Sequence, residues 1–206
     1  LRTLLTEIVS AVRVLQRQRM VHRDLKPENI MVTDSGKIKL IDFGTVQAAG
    51  LQEIASVLEE DRLAGAVGYI APEYLLGQKG SHSADIFSLG VIAYELLCGQ
   101  LPFKTPLIQR AEVRSLDHWQ YQTISKYRQD VPKWLDLALR KATEPNVMKR
   151  YGAMSEFLMD LNTPNANLLE QIEAAPLLER NPIGFWKMTS GVLCFLLLLQ
   201  TYLFYG

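Results

Sequence analysis

The sequence predicts an α+β fold: a mostly helical domain holding one small β-hairpin, followed by a C-terminal transmembrane helix. Three observations carry this reading. Apolar residues recur at three- and four-residue spacing in several segments, two short β-prone runs flank an Asp-Ser-Gly turn, and the final stretch carries no charge. The chain then divides into a domain over residues 1–162, a linker over 163–184 and a membrane segment over 185–206.

Residues 1–19 read as an amphipathic helix, because Leu1, Leu4, Leu5, Ile8, Val9, Val12 and Leu15 share one face and neither Gly nor Pro interrupts them. Residues 29–32 and 37–41 are the two arms of the hairpin, turned at Asp34-Ser35-Gly36. Residues 44–71 lack a sustained period and contain Gly50, Gly65 and Gly68, which predicts a long loop. Residues 85–97 are apolar on nearly every side and predict a buried helix, with Gly99 as its C-terminal cap. Residues 131–143 form a further helix with Pro132 in its first turn, and residues 155–161 another. The linker is polar and rich in Pro and Asn.

From residue 188 onward there are about 19 uncharged residues, near the lower limit for a span, with Gln200 and Thr201 as its polar interruptions. Phe185 and Trp186 precede the apolar run and Tyr202 and Tyr205 end it, as interfacial aromatics do. Arg180 and Lys187 flank only its N-terminal side, which predicts a single pass with the preceding domain in the cytoplasm and lipid as a partner.

Composition sets bounds. With 48% hydrophobic and 21% charged residues the chain is a folding one, and 22 basic against 22 acidic residues give no field that would select nucleic acid. Cys98 and Cys194 lie far apart in apolar surroundings and read as free thiols of a reducing compartment. His82 and His118 have no ligand-spaced His or Cys neighbours and read as surface residues, while Trp119, Tyr121 and Trp134 read as packing aromatics.

Three motifs occur in a fixed order: His22-Arg23-Asp24-Leu25-Lys26-Pro27-Glu28-Asn29, then Asp42-Phe43-Gly44 after the hairpin, then Ala71-Pro72-Glu73 after the long loop. Any one alone is weak, since a lone Asp24 or Asp42 is more often a turn or cap residue. Together they are specific. Over residues 1–161 the chain resembles the C-terminal lobe of a eukaryotic-like (Hanks-type) protein serine/threonine kinase, and Lys26 within Asp-Leu-Lys-Pro-Glu-Asn resembles the serine/threonine version.

The resemblance implies transfer of the γ-phosphate of ATP to Ser or Thr of a protein, with ATP and Mg²⁺ as cofactors. Such transfer is mostly positioning and charge neutralisation, and the residue types suit it. Asp24 would be the base for the attacking hydroxyl, Lys26 the cation at the transferring phosphate, and Asn29 and Asp42 the hard oxygen ligands of the metal. Met31 and Ile41 would line the adenine pocket. His22 and Phe43 would stack in an internal spine, with Gly44 completing the metal loop. Asp85 would bond the backbone around Arg23, and Glu73 would pair with Arg150.

Some positions depart from the family pattern. The glycine-rich loop, strand lysine and helix glutamate of a kinase precede the catalytic loop, whereas here about one helix does, so the chain by itself is expected to be a fragment without useful turnover. Ala66 stands where a Thr usually contacts the catalytic Asp and Lys. Glu59, Glu60 and Asp61 offer Arg23 a fixed substitute for activation-loop phosphate, or are simply solvated. Asn146-Val147 replaces the more usual Asp-Pro. The run over 176–182 before the tail is similar to bacterial proteins that join a metal-dependent phosphatase domain to a kinase and an anchor. Two other readings compete: a pseudokinase-like interaction module, which the intact Asp24, Lys26, Asn29 and Asp42 oppose, and a small-molecule phosphotransferase, which Ala71-Pro72-Glu73 opposes.

Overall fold

The computed structural model of the chain describes residues 2–42, 47–48, 67–78, 81–103, 119–173 and 182–205. Phe43, Gly44, Glu59, Glu60, Asp61, Ala66 and His118 lie outside the described residues, and with them the readings that fell there. Two compact units emerge, Leu1–Pro164 and Asn165–Gly206.

In the first unit, helix α1 (Arg2–Arg17) buries Leu5, Ile8, Val9 and Val12, the apolar face legible in its spacing. Strand β1 (Met20–Val21) leads into the motif over residues 22–29. Strands β2 (Ile30–Val32) and β3 (Ile38–Leu40) form the expected antiparallel hairpin, with Ile30 opposite Leu40 and Val32 opposite Ile38. Its turn is closed by the Gly36 amide donating to Thr33 O at 2.8 Å, and Gly36 takes a φ of 77° that a side chain would strain. Strand β4 (Gln47–Ala48) pairs antiparallel with β1, a contact that two-residue strands do not announce in sequence.

The centre of the core is helix α3 (His82–Cys98), which follows the one-turn helix α2 (Pro72–Leu75). Ser81 caps the start of α3 by accepting from Ser83 N, and Gly99 ends it in the left-handed region at φ 69°. Its residues are buried all round, among them Ile86, Phe87, Val91, Ile92 and Tyr94, so packing and not an amphipathic face stabilises it. Helix α4 (Lys133–Ala142) crosses it closely at Gly90, and helix α5 (Met154–Asn162) covers α1 and α4. Pro132 sits at the N-cap of α4, one residue before the first turn where it was expected. Phe87, Phe103, Trp119, Tyr94 and Tyr121 meet in edge and stacked contacts, so Trp119 and Tyr121 are packing aromatics as read. His82 is half-buried as the first residue of α3, not a surface residue.

Among the described residues of the second unit are helices α6 (Ala166–Glu173) and α7 (Pro182–Tyr205). Helix α6 lies within the expected linker; Asn165 caps it by accepting from Asn167 N at 3.0 Å. The tail forms the helix expected of it, but the span is not found: among the described residues no helix is long and apolar enough to cross a membrane. The helix is 24 residues long, but Lys187, Thr189, Ser190, Gln200 and Thr201 interrupt its apolar character. The unbroken apolar run over 192–199 rises only about 12 Å, against a hydrocarbon core of about 30 Å.

Candidate active site

The site is built on the segment between β1 and β2. Asp85, in the first turn of α3, accepts from His22 N at 2.9 Å on one carboxylate oxygen and from Arg23 N at 3.0 Å on the other. Consecutive amides of an extended chain point to opposite sides. Arg23 takes φ 69°, a left-handed conformation, and this turns both amides toward one carboxylate. Burial pushes the Asp85 carboxyl up to about 6, while the two amides and Arg23 pull it back down. His22 is fully buried, and burial lowers its imidazole below the usual histidine range against the opposing pull of Asp24 and Asp42. Its neutral ring fits the structural role read for it.

The segment next enters a 3-10 turn over Pro27–Asn29, where the proline presets the first residue. Buried Asn29 ends that turn, and its carboxamide nitrogen donates to Asp24 O at 2.7 Å and to the Asp24 carboxylate at 3.1 Å. Those two bonds fix which way the amide faces. The carboxamide oxygen makes no hydrogen bond among the described residues, which leaves a hard oxygen donor for a cation such as Mg²⁺. Lys26 Nζ lies 3.2 Å from the same Asp24 carboxylate, with both side chains roughly a quarter exposed at 21% and 26%.

Ile41 N donates to Asn29 O at 3.0 Å, so Asp42, one residue further along, lies at the open end of the hairpin beside Asn29. Asp42 takes φ 61°, after Arg23 a second left-handed non-glycine position in the same small region. The hairpin thus brings the two metal-ligand candidates together and places Asp24 and Lys26 next to them. Ile41 is half-buried, whereas Met31 is 52% exposed on the hairpin. Among the described residues no cluster of three His, Cys, Asp or Glu that could hold a metal ion forms.

Beneath the site, Glu73 and Arg150 form the expected pair in full. Arg150 donates from Nη1 to Glu73 Oε1 at 2.8 Å and from Nη2 to Oε2 at 2.6 Å, with the side chains 0% and 4% exposed. Its remaining N–H groups reach Ser83 O, Pro145 O and Glu144 O at 2.9, 3.1 and 2.6 Å, so all five guanidinium donors are used. This one side chain ties α2 to the start of α3 and to the turn after α4.

Sequence reasoning missed a second tie. Ser88 Oγ donates to Tyr69 O at 2.7 Å, and Tyr69 OH donates to Glu95 at 2.6 Å, which fastens the 3-10 turn over Val67–Tyr69 onto α3. No local pattern marks a serine inside an apolar helix as a tertiary fastener.

With this geometry in hand, comparison with known proteins is decisive. Residues 1–160 match the protein kinase domain family. The chain belongs to that family. It is 35% identical over 162 residues, 78% of its length, to the probable serine/threonine-protein kinase PknB of Lactococcus lactis, of which it covers 25%. It is 31% identical over 162 residues to the serine/threonine-protein kinase PrkC of Bacillus subtilis, covering 78% of this chain and 24% of that protein. It is also 32% identical over 148 residues to the serine/threonine-protein kinase PknL of Mycobacterium tuberculosis, covering 72% of this chain and 36% of the relative. This kinase chain therefore spans about a quarter to a third of the length of the curated relatives it matches. The relationship is to bacterial kinases of the eukaryotic-like type.

Proposed function

We propose that the protein carrying this chain transfers the γ-phosphate of ATP to serine or threonine of a protein substrate. The observation that supports this most is the convergence on Asp24: Asn29 and Lys26 both contact its carboxylate, on a loop whose backbone is pinned by Asp85. In this reading Asp24 orients the substrate hydroxyl and accepts its proton, held in place by the Asn29 carboxamide. Lys26 offsets charge on the transferring group. Asn29 and Asp42 hold Mg²⁺, which when bound with ATP neutralises phosphate charge. Ile41 and Met31 contact the base.

The test is phosphate transfer from labelled ATP and Mg²⁺ to a generic basic protein by the full-length protein beside its Asp24→Asn form. We expect the substitution to lower transfer at least about a hundredfold with folding intact. Equal transfer by both forms would remove Asp24 from the chemistry.

We further infer that α7 holds the kinase at a membrane from the cytoplasmic side. The support is a helix whose apolar side chains are exposed, Leu193 at 64% and Leu198 at 69% among them, with Trp186 near its start. An upstream phosphatase domain in the full-length protein belongs to the same reading. Fractionation decides the membrane part: recovery of the full-length protein in the membrane pellet, and its loss from that pellet when residues 188–206 are removed, is the expected result. Recovery in the soluble fraction in both cases would end it.

A further inference from the structure

We infer that a groove between the Phe103–Tyr121 wall and the C-terminal end of α4 is a docking site for an acidic segment of a protein. The groove has a volume of about 480 Å³. It shares no residue with the catalytic loop, and the inference does not depend on the activity proposed above.

One wall is aromatic and already fixed in place. Phe103 and Trp119 meet edge to face at 5.1 Å between centroids, and the backbones of Phe103 and Tyr121 form a bridge. The Tyr121 hydroxyl is committed to Asp136, at 2.6 Å, so that residue offers the groove its ring and not its oxygen. A preformed wall of this kind loses little entropy when a ligand lies against it.

The other wall decides the ligand's charge. Thr143 spends its hydroxyl on Leu139 O at 2.9 Å, and Asn146 spends its carboxamide oxygen on Met148 N at 3.0 Å. What remains for a ligand is the Arg140 guanidinium, the Lys149 ammonium, the Asn146 amide N–H groups and the Glu144 carboxylate. Among the described residues neither Arg140 nor Lys149 has an ion-pair or hydrogen-bond partner, whereas Arg128 is held by Asp130 and Arg150 by Glu73. Two cations against one carboxylate leave the groove net positive. Asn146 contributes to that balance. An aspartate here would cap the turn equally well and cancel the remaining charge.

A single solvated lysine on a surface says nothing, and most exposed cations are of that sort. Here two cations without a partner among the described residues and a donor amide share a concave space with a rigid aromatic face. That combination fits adjacent carboxylates beside an aliphatic or aromatic side chain.

The probe is a fluorescein-labelled peptide, Ala-Leu-Glu-Glu-Phe-Ala, titrated into the chain and read by anisotropy, next to its Gln-Gln counterpart. We expect the Glu-Glu peptide to bind at least about tenfold tighter, the cost of one charge-assisted contact. Arg140→Gln, Lys149→Gln and Asn146→Asp should each weaken it about tenfold with unchanged melting temperature, while Glu144→Gln should tighten it. Lys133→Gln, an exposed cation of α4 outside the groove, is the control. No binding, equal binding of the two peptides, or equal loss on Lys133→Gln would each overturn the assignment.

Discussion

Glu73–Arg150 and Asp24–Lys26 are both carboxylate–cation pairs of the same domain, and they are satisfied to opposite degrees. The first is sealed from water and uses every donor it has. The second is partly open to solvent, held by a single 3.2 Å contact, and shares its carboxylate with Asn29. Burial raises the stakes of a charge, because a lost partner leaves an ion in a medium that cannot solvate it. Exposure lowers them, because water replaces whatever is removed. The buried pair is therefore read as structure and the open pair as chemistry, and substitutions should separate the two cleanly.

The largest effect is expected at Arg150. Arg150→Ala strands Glu73 and unseats the carbonyls of Glu144, Pro145 and Ser83, and should cost about 3–5 kcal/mol in denaturant unfolding. Replacing both partners together, Glu73→Met with Arg150→Met, should cost much less than that single change. If the single and double variants lose equal stability, the cost lies in the lost carbonyl contacts and not in the stranded charge.

Asp85 is intermediate, a buried carboxylate bonded by two backbone amides, with the Arg23 charge acting on it as well. Its folded pKa of about 6 lies above the unfolded value of 3.8, so the folded state binds more protons between them. Its contribution is complete below about pH 3.8 and is lost as pH rises through about 6, up to about 3 kcal/mol. His22 runs the other way. Its folded pKa is depressed, so it costs stability as pH falls below 6.5. The two slopes oppose each other in the wild type. Of the two, Asp85→Asn should leave the histidine slope, with unfolding free energy rising as pH approaches 6.5 from below. Parallel curves for the two proteins would mean that Asp85 titrates no differently folded and unfolded.

Gly90 tests the packing that carries both pairs. A Cβ there would stand 2.8 Å from Thr143 Cγ2 and 2.9 Å from Ala142 Cβ, where α3 crosses α4. Gly to Ala inside a helix ordinarily stabilises by up to about 1 kcal/mol. Here Gly90→Ala should destabilise by about 1–3 kcal/mol, and Thr143→Ser, which removes the nearest methyl but keeps the hydroxyl bond to Leu139, should recover part of the loss.

How much of this was legible beforehand depends on whether the information was local. The periodicity of α1, the all-round apolar character of α3 and the Asp-Ser-Gly turn are local, and the elements formed where they pointed. The motif order collected Asp24, Lys26, Asn29 and Asp42, because a hairpin returns the chain to its starting point. The pairing of β1 with β4, the Ser88–Tyr69–Glu95 fastener and the carbonyl partners of Arg150 were not legible. Each joins residues whose own neighbourhoods carry no mark of the contact. Helix α6 did carry one, the Asn165 cap, which the surrounding Asn and Pro residues disguised as linker composition.

The smallest stability effect belongs to the open pair, and it is the sharpest test of the contrast. Lys26→Gln removes one half of a pair that water already screens. Its unfolding free energy should stay within about 0.5 kcal/mol of the wild type, while phosphate transfer by the full-length protein falls at least about tenfold. The conservative Lys26→Arg keeps the charge on a planar, differently shaped group, so it should retain stability and recover transfer only in part. If Lys26→Gln instead loses stability on the scale of Arg150→Ala and keeps its transfer rate, the open pair is a structural bridge after all. The carboxylate of Asp24 would then be held for the fold and not for a substrate hydroxyl.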